Sequence, residues 1–229
     1  MKNNTIVVIP AYNEEETIRE VVEGSLRHAD VYVVDDCSKD KTAEIVQSIR
    51  GANYLKHNKN THIPRAILDG IRFALGKDYD YVITMDAGLS HDPDELRSFI
   101  KKPHSDLVVG VRKHKRNVPL YRKLLSRTAT ALMNISLRPI GSGLPRANFR
   151  DVTSGYRRYS RKAASLLLER EMKAKTFDFH TESFMLIYRN GLSISEVPIS
   201  YHFSNSSLNM KVVRDGVRMF LDILLTRRC

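Results

Sequence analysis

The feature that most narrows the fold of this chain is an alternation in its first half. Short runs of β-branched and aromatic residues are separated by stretches with helical hydrophobic spacing. Thr5 to Ile9, Val31 to Asp35, Asn53 to Lys56, Tyr81 to Met85 and Leu107 to Val111 read as strands. Between them, Glu15 to His28, Thr42 to Ile49, Arg65 to Leu75 and Asp94 to Ile100 read as helices. Strands that alternate with helices in this way predict an α/β domain, a parallel sheet covered on both faces. Asp92, Pro93 and Glu95 mark a helix start, with a capping aspartate, a first-turn proline and a glutamate placed for a capping box. At 229 residues, 42% of them hydrophobic, the chain can bury one good core.

In a sheet of this kind a ligand lies outside the carboxyl ends of the strands, and polar residues collect at those ends here. The first strand runs into Pro10-Ala11-Tyr12-Asn13-Glu14, the second into Asp35-Asp36-Cys37-Ser38, and the fourth into Asp86-Ala87-Gly88. Asp35, Asp36 and Ser38 read equally as a polar turn capping the next helix. Neither a G-x-G-x-x-G dinucleotide fingerprint nor a G-x-x-x-x-G-K-[ST] phosphate loop is present.

The two cysteines, Cys37 and Cys229, give neither a disulfide framework nor metal-ligand spacing. The first apolar run is too short for a signal peptide, and none approaches the roughly 18 residues of a membrane span, so a cytoplasmic location is expected. A net charge of +11 calls for an anionic partner. Almost all of it sits between Leu107 and Arg150, a segment with ten Lys and Arg residues and no Asp or Glu. There Tyr121, Leu124, Leu125, Ala129, Leu132 and Met133 recur at helical spacing, which predicts a basic amphipathic helix over Leu120 to Leu137. Two readings stay open for it: a membrane-surface helix, or a solvated face whose apolar side joins the core. No recognition motif accompanies the cations, so nucleic acid is not expected as a partner.

"VVIPAYNEEETI", "VVDDCSKDKT", "MDAGLSHDP" and "DVTSGYRRYSRKA", in this order and at these separations, resemble the family 2 glycosyltransferases of GT-A fold. Within them, "LSHDP", "TSGYR" and the "EVPISY" strand are similar to the group that contains dolichol-phosphate mannosyltransferase and the polyprenyl-phosphate glycosyltransferases. The resemblance covers Thr5 to about Leu225. It implies a donor-binding half over residues 1–112, an acceptor-binding half over 113–208 and an amphipathic helix over 209–229. The donor is a nucleotide-sugar, GDP-mannose or UDP-glucose, and the acceptor a polyprenyl or dolichyl phosphate.

Carried onto this sequence, the resemblance implies that Pro10, Tyr12, Glu14, Asp35 and Asp36 surround the nucleotide. Asp86 becomes the first carboxylate of a D-x-D motif, with Gly88 where the second would be. Mg²⁺ or Mn²⁺ would then depend on Asp86, on Ser90 and on the donor's own diphosphate, since magnesium is often held by one or two carboxylates plus substrate phosphates. Arg112 is the cation expected for the leaving diphosphate, and Arg122 and Arg127 those for the lipid phosphate. Ser154 and Glu182 fall in segments expected near the acceptor. Two further departures concern the donor: "HNKNTHIPRAILDG" carries His62 and Pro64 where relatives have a glycine-containing stretch, and Ser207 stands where a basic residue is usual.

The expected mechanism follows from the acceptor. A phosphate monoester has a second pKa of about 6 and can attack the anomeric carbon without a general base. One in-line displacement would invert that centre. An acceptor hydroxyl in polysaccharide synthesis would instead need a base, for which His180 in "HTES" is the nearest candidate; a non-catalytic nucleotide-sugar-binding relative is the third reading. The last stretch, Asn209 to Cys229, reads as an interfacial helix, which leaves three arrangements: the domain docks on a membrane surface unaided, a membrane-spanning partner subunit holds it, or the native chain is longer.

Overall fold

The computed structural model describes residues 4–116, 120–137, 148–176 and 178–202, without the side chains of 114–116, 120–125 and 136. The helix expected over 209–229, and Ser207 before it, lie outside the described residues. In chain order the elements are β1 (Thr5–Ala11), α1 (Ile18–Leu26), β2 (Asp30–Asp35), α2 (Thr42–Ser48), β3 (Ala52–Lys56), α3 (His62–Gly76) and β4 (Tyr81–Thr84). There follow a 3₁₀ turn (Pro93–Glu95), α4 (Leu96–Lys101), β5 (Leu107–Arg116), α5 (Leu120–Ser136), β6 (Arg157–Ser160), α6 (Arg161–Glu169), α7 (Phe179–Arg189) and β7 (Ile194–His202).

The seven strands form one sheet in the order β3-β2-β1-β4-β6-β5-β7. Only β6 runs against its neighbours: it pairs antiparallel with β4 and β5, while β7 pairs parallel with β5. The other six strands therefore end at one edge, and β6 begins there, with Arg157 opposite Thr84. Each face carries its own core. Ile6 and Val8 of β1 pack with α3, α5, α6 and α7, and Val7 and Ile9 pack with α1, α2 and α4. This two-sided burial explains why β1 reads as a continuous apolar run rather than an alternating one.

Two sequence expectations change in detail. β5 continues to Arg116 instead of stopping at Val111, because β7 pairs along its whole length with a register shift between Arg112 and His114. At Asp92 the cap forms, with Asp94 N–H donating to Oδ1 at 2.9 Å, but the capping box does not. Glu95 Oε1 instead accepts from the backbone N–H of Ser200, 2.7 Å away on β7.

One glycine governs how α3 lies on the sheet. A Cβ on Gly70 would fall 2.2 Å from Cγ1 of Val8, so the helix backbone seats directly on β1.

Candidate active site

The edge where the parallel strands end is built from loops that hold one another. Asn13, at φ 55°, donates its N–H to Ser38 Oγ (2.9 Å), and its side-chain oxygen accepts from Lys39 N–H (2.8 Å). Glu14 N–H donates to Thr42 Oγ1 at 2.8 Å. Asp35 is fully buried: it accepts from Ser38 N–H (2.8 Å) and from the Tyr54 hydroxyl (2.9 Å). Burial and the Asp35 carboxylate together push the Tyr54 hydroxyl well above its ordinary range, which keeps it a donor.

Asp36 is used more fully still. Its Oδ1 accepts from Thr61 N–H and Thr61 Oγ1, both at 2.7 Å, and lies 2.8 Å from His57 Nδ1; its Oδ2 accepts from His62 N–H at 2.6 Å. Burial alone would raise this carboxyl, but the bonds from His57, Thr61 and His62 bring it below its ordinary range. The structure thus gives Asp35 and Asp36, expected around the nucleotide, partners within the protein. They fix the shape of the floor, which leaves half-exposed Pro10, exposed Tyr12 and half-exposed Glu14 as its accessible surface. His62 has φ 67°, so the backbone takes a glycine-favouring conformation at the place where the resemblance leads one to expect glycine.

Asp86 follows β4, and its side chain keeps 42% of its accessible surface. Its N–H donates to Nδ1 of buried His91 (3.3 Å), whose ring nitrogen lies 3.7 Å from Asp86 Oδ2. Gly88 does not have positive φ, and a Cβ built on it would lie 3.8 Å from Glu14 Oε2. Glu14 therefore borders the position where a second D-x-D carboxylate would stand. Burial and the nearby Asp86 charge raise the Glu14 carboxyl above its ordinary range. Two carboxylates in such proximity favour a cation between them and a diphosphate. Among the described residues, however, no group of three His, Cys, Asp or Glu is placed to hold a metal by itself. Ser90 is half-buried, and its carbonyl accepts from His202 N–H at 3.2 Å.

Gly155 is the hinge of the other half of the site. A Cβ there would meet His180 Nε2 at 2.9 Å and Asp86 Oδ1 at 3.3 Å, so the imidazole and the carboxylate flank a residue that has no room for a side chain. His180, a candidate base for a hydroxyl acceptor that the sequence reads more readily as an exposed or satisfied histidine, is 3% exposed, and its Nδ1 has no hydrogen-bond partner. Burial, with the Arg157 charge beside it, holds it well below the ordinary histidine range, so it is neutral.

Arg112 does not stand free. Its Nε and Nη2 grip Asp151 at 2.6 and 2.8 Å, Nη2 also reaches Thr153 Oγ1 (2.5 Å) and Ser126 Oγ (3.1 Å), and the guanidinium lies over Tyr201. Burial opposes charge on both partners. The pairing outweighs it, moving Arg112 above and Asp151 below their ordinary ranges. As a cation for a diphosphate, Arg112 is already matched by a carboxylate. Through Ser126 it draws the middle of α5 to the site edge. On α5 Thr130 and Met133 are buried, as is Leu137 just after it, whereas Arg127, Leu132 and Ile135 are exposed. Of the apolar stripe expected for the basic helix, Met133 is buried and Ala129 half-buried, but Leu132 lies exposed. The side chains of Arg122, Tyr121, Leu124 and Leu125 are outside the description.

Ser154 is buried, and its Oγ lies 3.4 Å from Tyr156 N–H. Glu182 accepts from the backbone N–H groups of Lys173 (2.9 Å) and Ala174 (2.7 Å). These two residues, expected near the acceptor, have hydrogen-bond partners within the protein. Arg157 falls in the segment expected near the active site, but sequence reasoning missed Arg158 and the burial of this adjacent pair, both nearly inaccessible on opposite faces of β6. Arg157 donates to the carbonyls of Ser154 (2.7 Å), His180 (2.6 Å) and Val152 (2.6 Å), which fixes the loop around Gly155 against α7. Arg158 donates to the carbonyls of Phe99, Lys102 and Pro103. Their placement between Tyr156 and Tyr159, in a strand paired on both sides, was the available signal.

Comparison with known proteins converges on one family. The model of glycosyl transferase family 2 matches residues 6–167. The chain is 30% identical to the polyprenol monophosphomannose synthase of Mycolicibacterium smegmatis, over 95% of this chain and 89% of that protein. It is 28% identical to a UDP-N-acetylglucosamine–dolichyl-phosphate N-acetylglucosaminyltransferase of Methanococcus voltae, over 96% and 95%. In fold it is similar to glucosyl-3-phosphoglycerate synthase of Mycobacterium tuberculosis, solved with Mn²⁺, UDP and glucosyl-3-phosphoglycerate. The TM-score there is 0.70 at 19% identity, over 98% of this chain and 80% of that one.

Proposed function

The chain belongs to glycosyl transferase family 2, and we propose that it moves a hexose from a nucleotide-sugar to a polyprenyl phosphate at the cytoplasmic surface of a membrane. The supporting observation is the edge where the parallel strands end, which offers a half-exposed Asp86 near Glu14 and, through the bond of Arg112 to Ser126, reaches α5, on which Arg127 is exposed. The relatives named above act on dolichyl phosphate or make a polyprenol monophosphomannose, which supports the lipid-phosphate acceptor. Residues 1–112 then form the donor half and 113–208 the acceptor half. Among the described residues no helix is long and apolar enough to cross a membrane, which suits a peripheral position or a membrane-spanning partner.

On this reading Tyr12 and Pro10 receive the base, and the floor set by Asp35 and Asp36 orients it. Asp86, with Glu14 beside it, would hold Mg²⁺ or Mn²⁺ together with the donor diphosphate; when bound, the ion neutralises charge on the leaving group. Arg127, and Arg122 on the same helix, orient the acceptor phosphate. Its oxygen is already ionised at neutral pH and attacks the anomeric carbon from the face opposite the nucleotide. The protein contributes position and charge. One displacement inverts the centre.

A second reading has one observation in its favour: His180 is a neutral imidazole packed beside Asp86 at Gly155, as a base for an acceptor hydroxyl would be. Transfer assays from GDP-mannose, UDP-glucose and UDP-N-acetylglucosamine to a short polyprenyl phosphate, set against a sugar alcohol, separate the two. Product on the phosphate only, with Mn²⁺-dependent calorimetric binding of GDP or UDP, is the expected result. Product on the alcohol only would replace this proposal by the second.

A further inference from the structure

A cavity of about 470 Å³ opens between the first half of α3, the end of α6 and the 170–176 loop, and the reaction proposed above makes no use of it. Its charges are unequal: Arg65, Arg72, Arg170 and Lys175 line it against one carboxylate, Glu171. Its remaining wall is largely apolar, with the half-buried Leu68, Leu168 and Met172 facing the same space. Mixed walls of this size are typical of small-ligand sites, in which apolar surface supplies affinity and a few charges fix orientation.

The cations there are not random surface groups. Arg65 Nε holds Asp69 Oδ2 at 2.8 Å, and Arg72 pairs with the other oxygen of the same carboxylate. Asp69 in turn lies 3.3 Å from His57 Nε2, and His57 Nδ1 lies 2.8 Å from Asp36. Asp36 binds Thr61 and His62, which are themselves part of the cavity wall. Asp69 therefore holds two of the four cations, and Asp36 ties Thr61 and His62 of the cavity wall to the donor floor. Arg170 and Lys175 complete the excess on the opposite side, where both are exposed.

We propose that this cavity binds an anionic amphiphile, an apolar chain ending in a phosphate or carboxylate, with the head between Arg170, Lys175 and Arg65 and the chain against Leu68, Leu168 and Met172. The site lies apart from Asp86 and does not depend on the glycosyl transfer reading.

Calorimetric titration of the full chain with farnesyl phosphate and with laurate tests it, with farnesol and inorganic phosphate as controls. Either amphiphile should bind at least tenfold more tightly than both controls, and which of the two binds better identifies the source of the head group. Arg170→Glu with Lys175→Glu, both at exposed positions, should weaken that binding tenfold or more. Ala174→Phe, which fills the space without altering charge, should weaken farnesol and amphiphile alike. Equal affinity for farnesol and farnesyl phosphate would remove the anionic part of the proposal, and equal affinity for inorganic phosphate the apolar part. Binding that survives Arg170→Glu/Lys175→Glu but is lost in Arg127→Ala belongs to the acceptor site. That result overturns this proposal and leaves the proposed function standing.

Discussion

The two halves of the site edge fix their polar residues by opposite means. Beside β1 and β2, carboxylates are the fixed groups: Asp35 and Asp36 are ringed by hydroxyl, imidazole and backbone donors from the next loop. Beside β4, β5 and β6, cations are fixed: Arg112 by Asp151, and Arg157 by three carbonyls and the Ser183 hydroxyl. A floor built of satisfied acceptors stays rigid whether or not a nucleotide is present. The other half uses its buried cations for architecture, which leaves half-exposed Asp86 and exposed Arg127 for the roles proposed above.

The sharpest break of this contrast is Asp86→Ala. Transfer should fall by about 10²- to 10³-fold while circular dichroism stays unchanged, since the half-exposed carboxylate is not a structural group. Next in size is Arg157→Leu. Three carbonyls would lose their donor at once, and unfolding in urea should show a loss of about 3 kcal/mol, with activity falling as the Gly155 loop loosens. Arg127→Ala should raise the acceptor KM roughly 10- to 100-fold and leave donor affinity alone, as expected for one charge-assisted phosphate contact. If that variant weakens nucleotide binding instead, the division of the edge into two halves is wrong.

Acid tests the buried histidines. His91 and His180 are held below the ordinary histidine range, so on acidification the unfolded chain takes up protons before the folded one does. Stability should be at its full value above a pH of about 6.5 and fall below it, by up to about 1.4 kcal/mol per pH unit for each group. His180→Gln should flatten that slope. The smallest effect sharpens the donor side: His62→Gly should stabilise the fold by about 1 kcal/mol, read as a rise in Tm, because φ 67° strains any residue with a Cβ. A loss of stability would mean that the imidazole makes a contact worth more than the strain.

Legibility in the sequence followed the same division. Strands β1 to β4 and helices α1 to α4 announce themselves because apolar period and turn residues are local signals. Tyr12, Glu14 and Asp86 could be named because a strand end is a position in the sequence as well as in space. By contrast, β6 was invisible. Its four residues include two arginines, and only pairing with β4 and β5 on either side makes burying them tolerable. Glu182, Ser154 and Arg112 read as free polar groups, since their partners stand 9, 2 and 39 residues away and no periodicity links them. The roles of Asp35 and Asp36 were ambiguous for the opposite reason, because a capped turn and a ligand site use the same residue types.

The antiparallel insertion of β6 also bears on how the molecule is made. Tyr81 of β4 pairs with Ser160, and on the other side of β4 residues 81 to 84 pair with residues 5 to 8 of β1. On a ribosome adding about 5 to 20 residues per second, β4 emerges and joins β1 while its other edge waits for several seconds for β6. During that interval Tyr81 to Thr84 presents an open row of backbone donors and acceptors, two residues before the aspartate on which the proposed chemistry depends. The step that closes this edge also brings Gly155 against Asp86, so a nascent chain would be protected from wrong strand pairing only when its reactive edge is assembled.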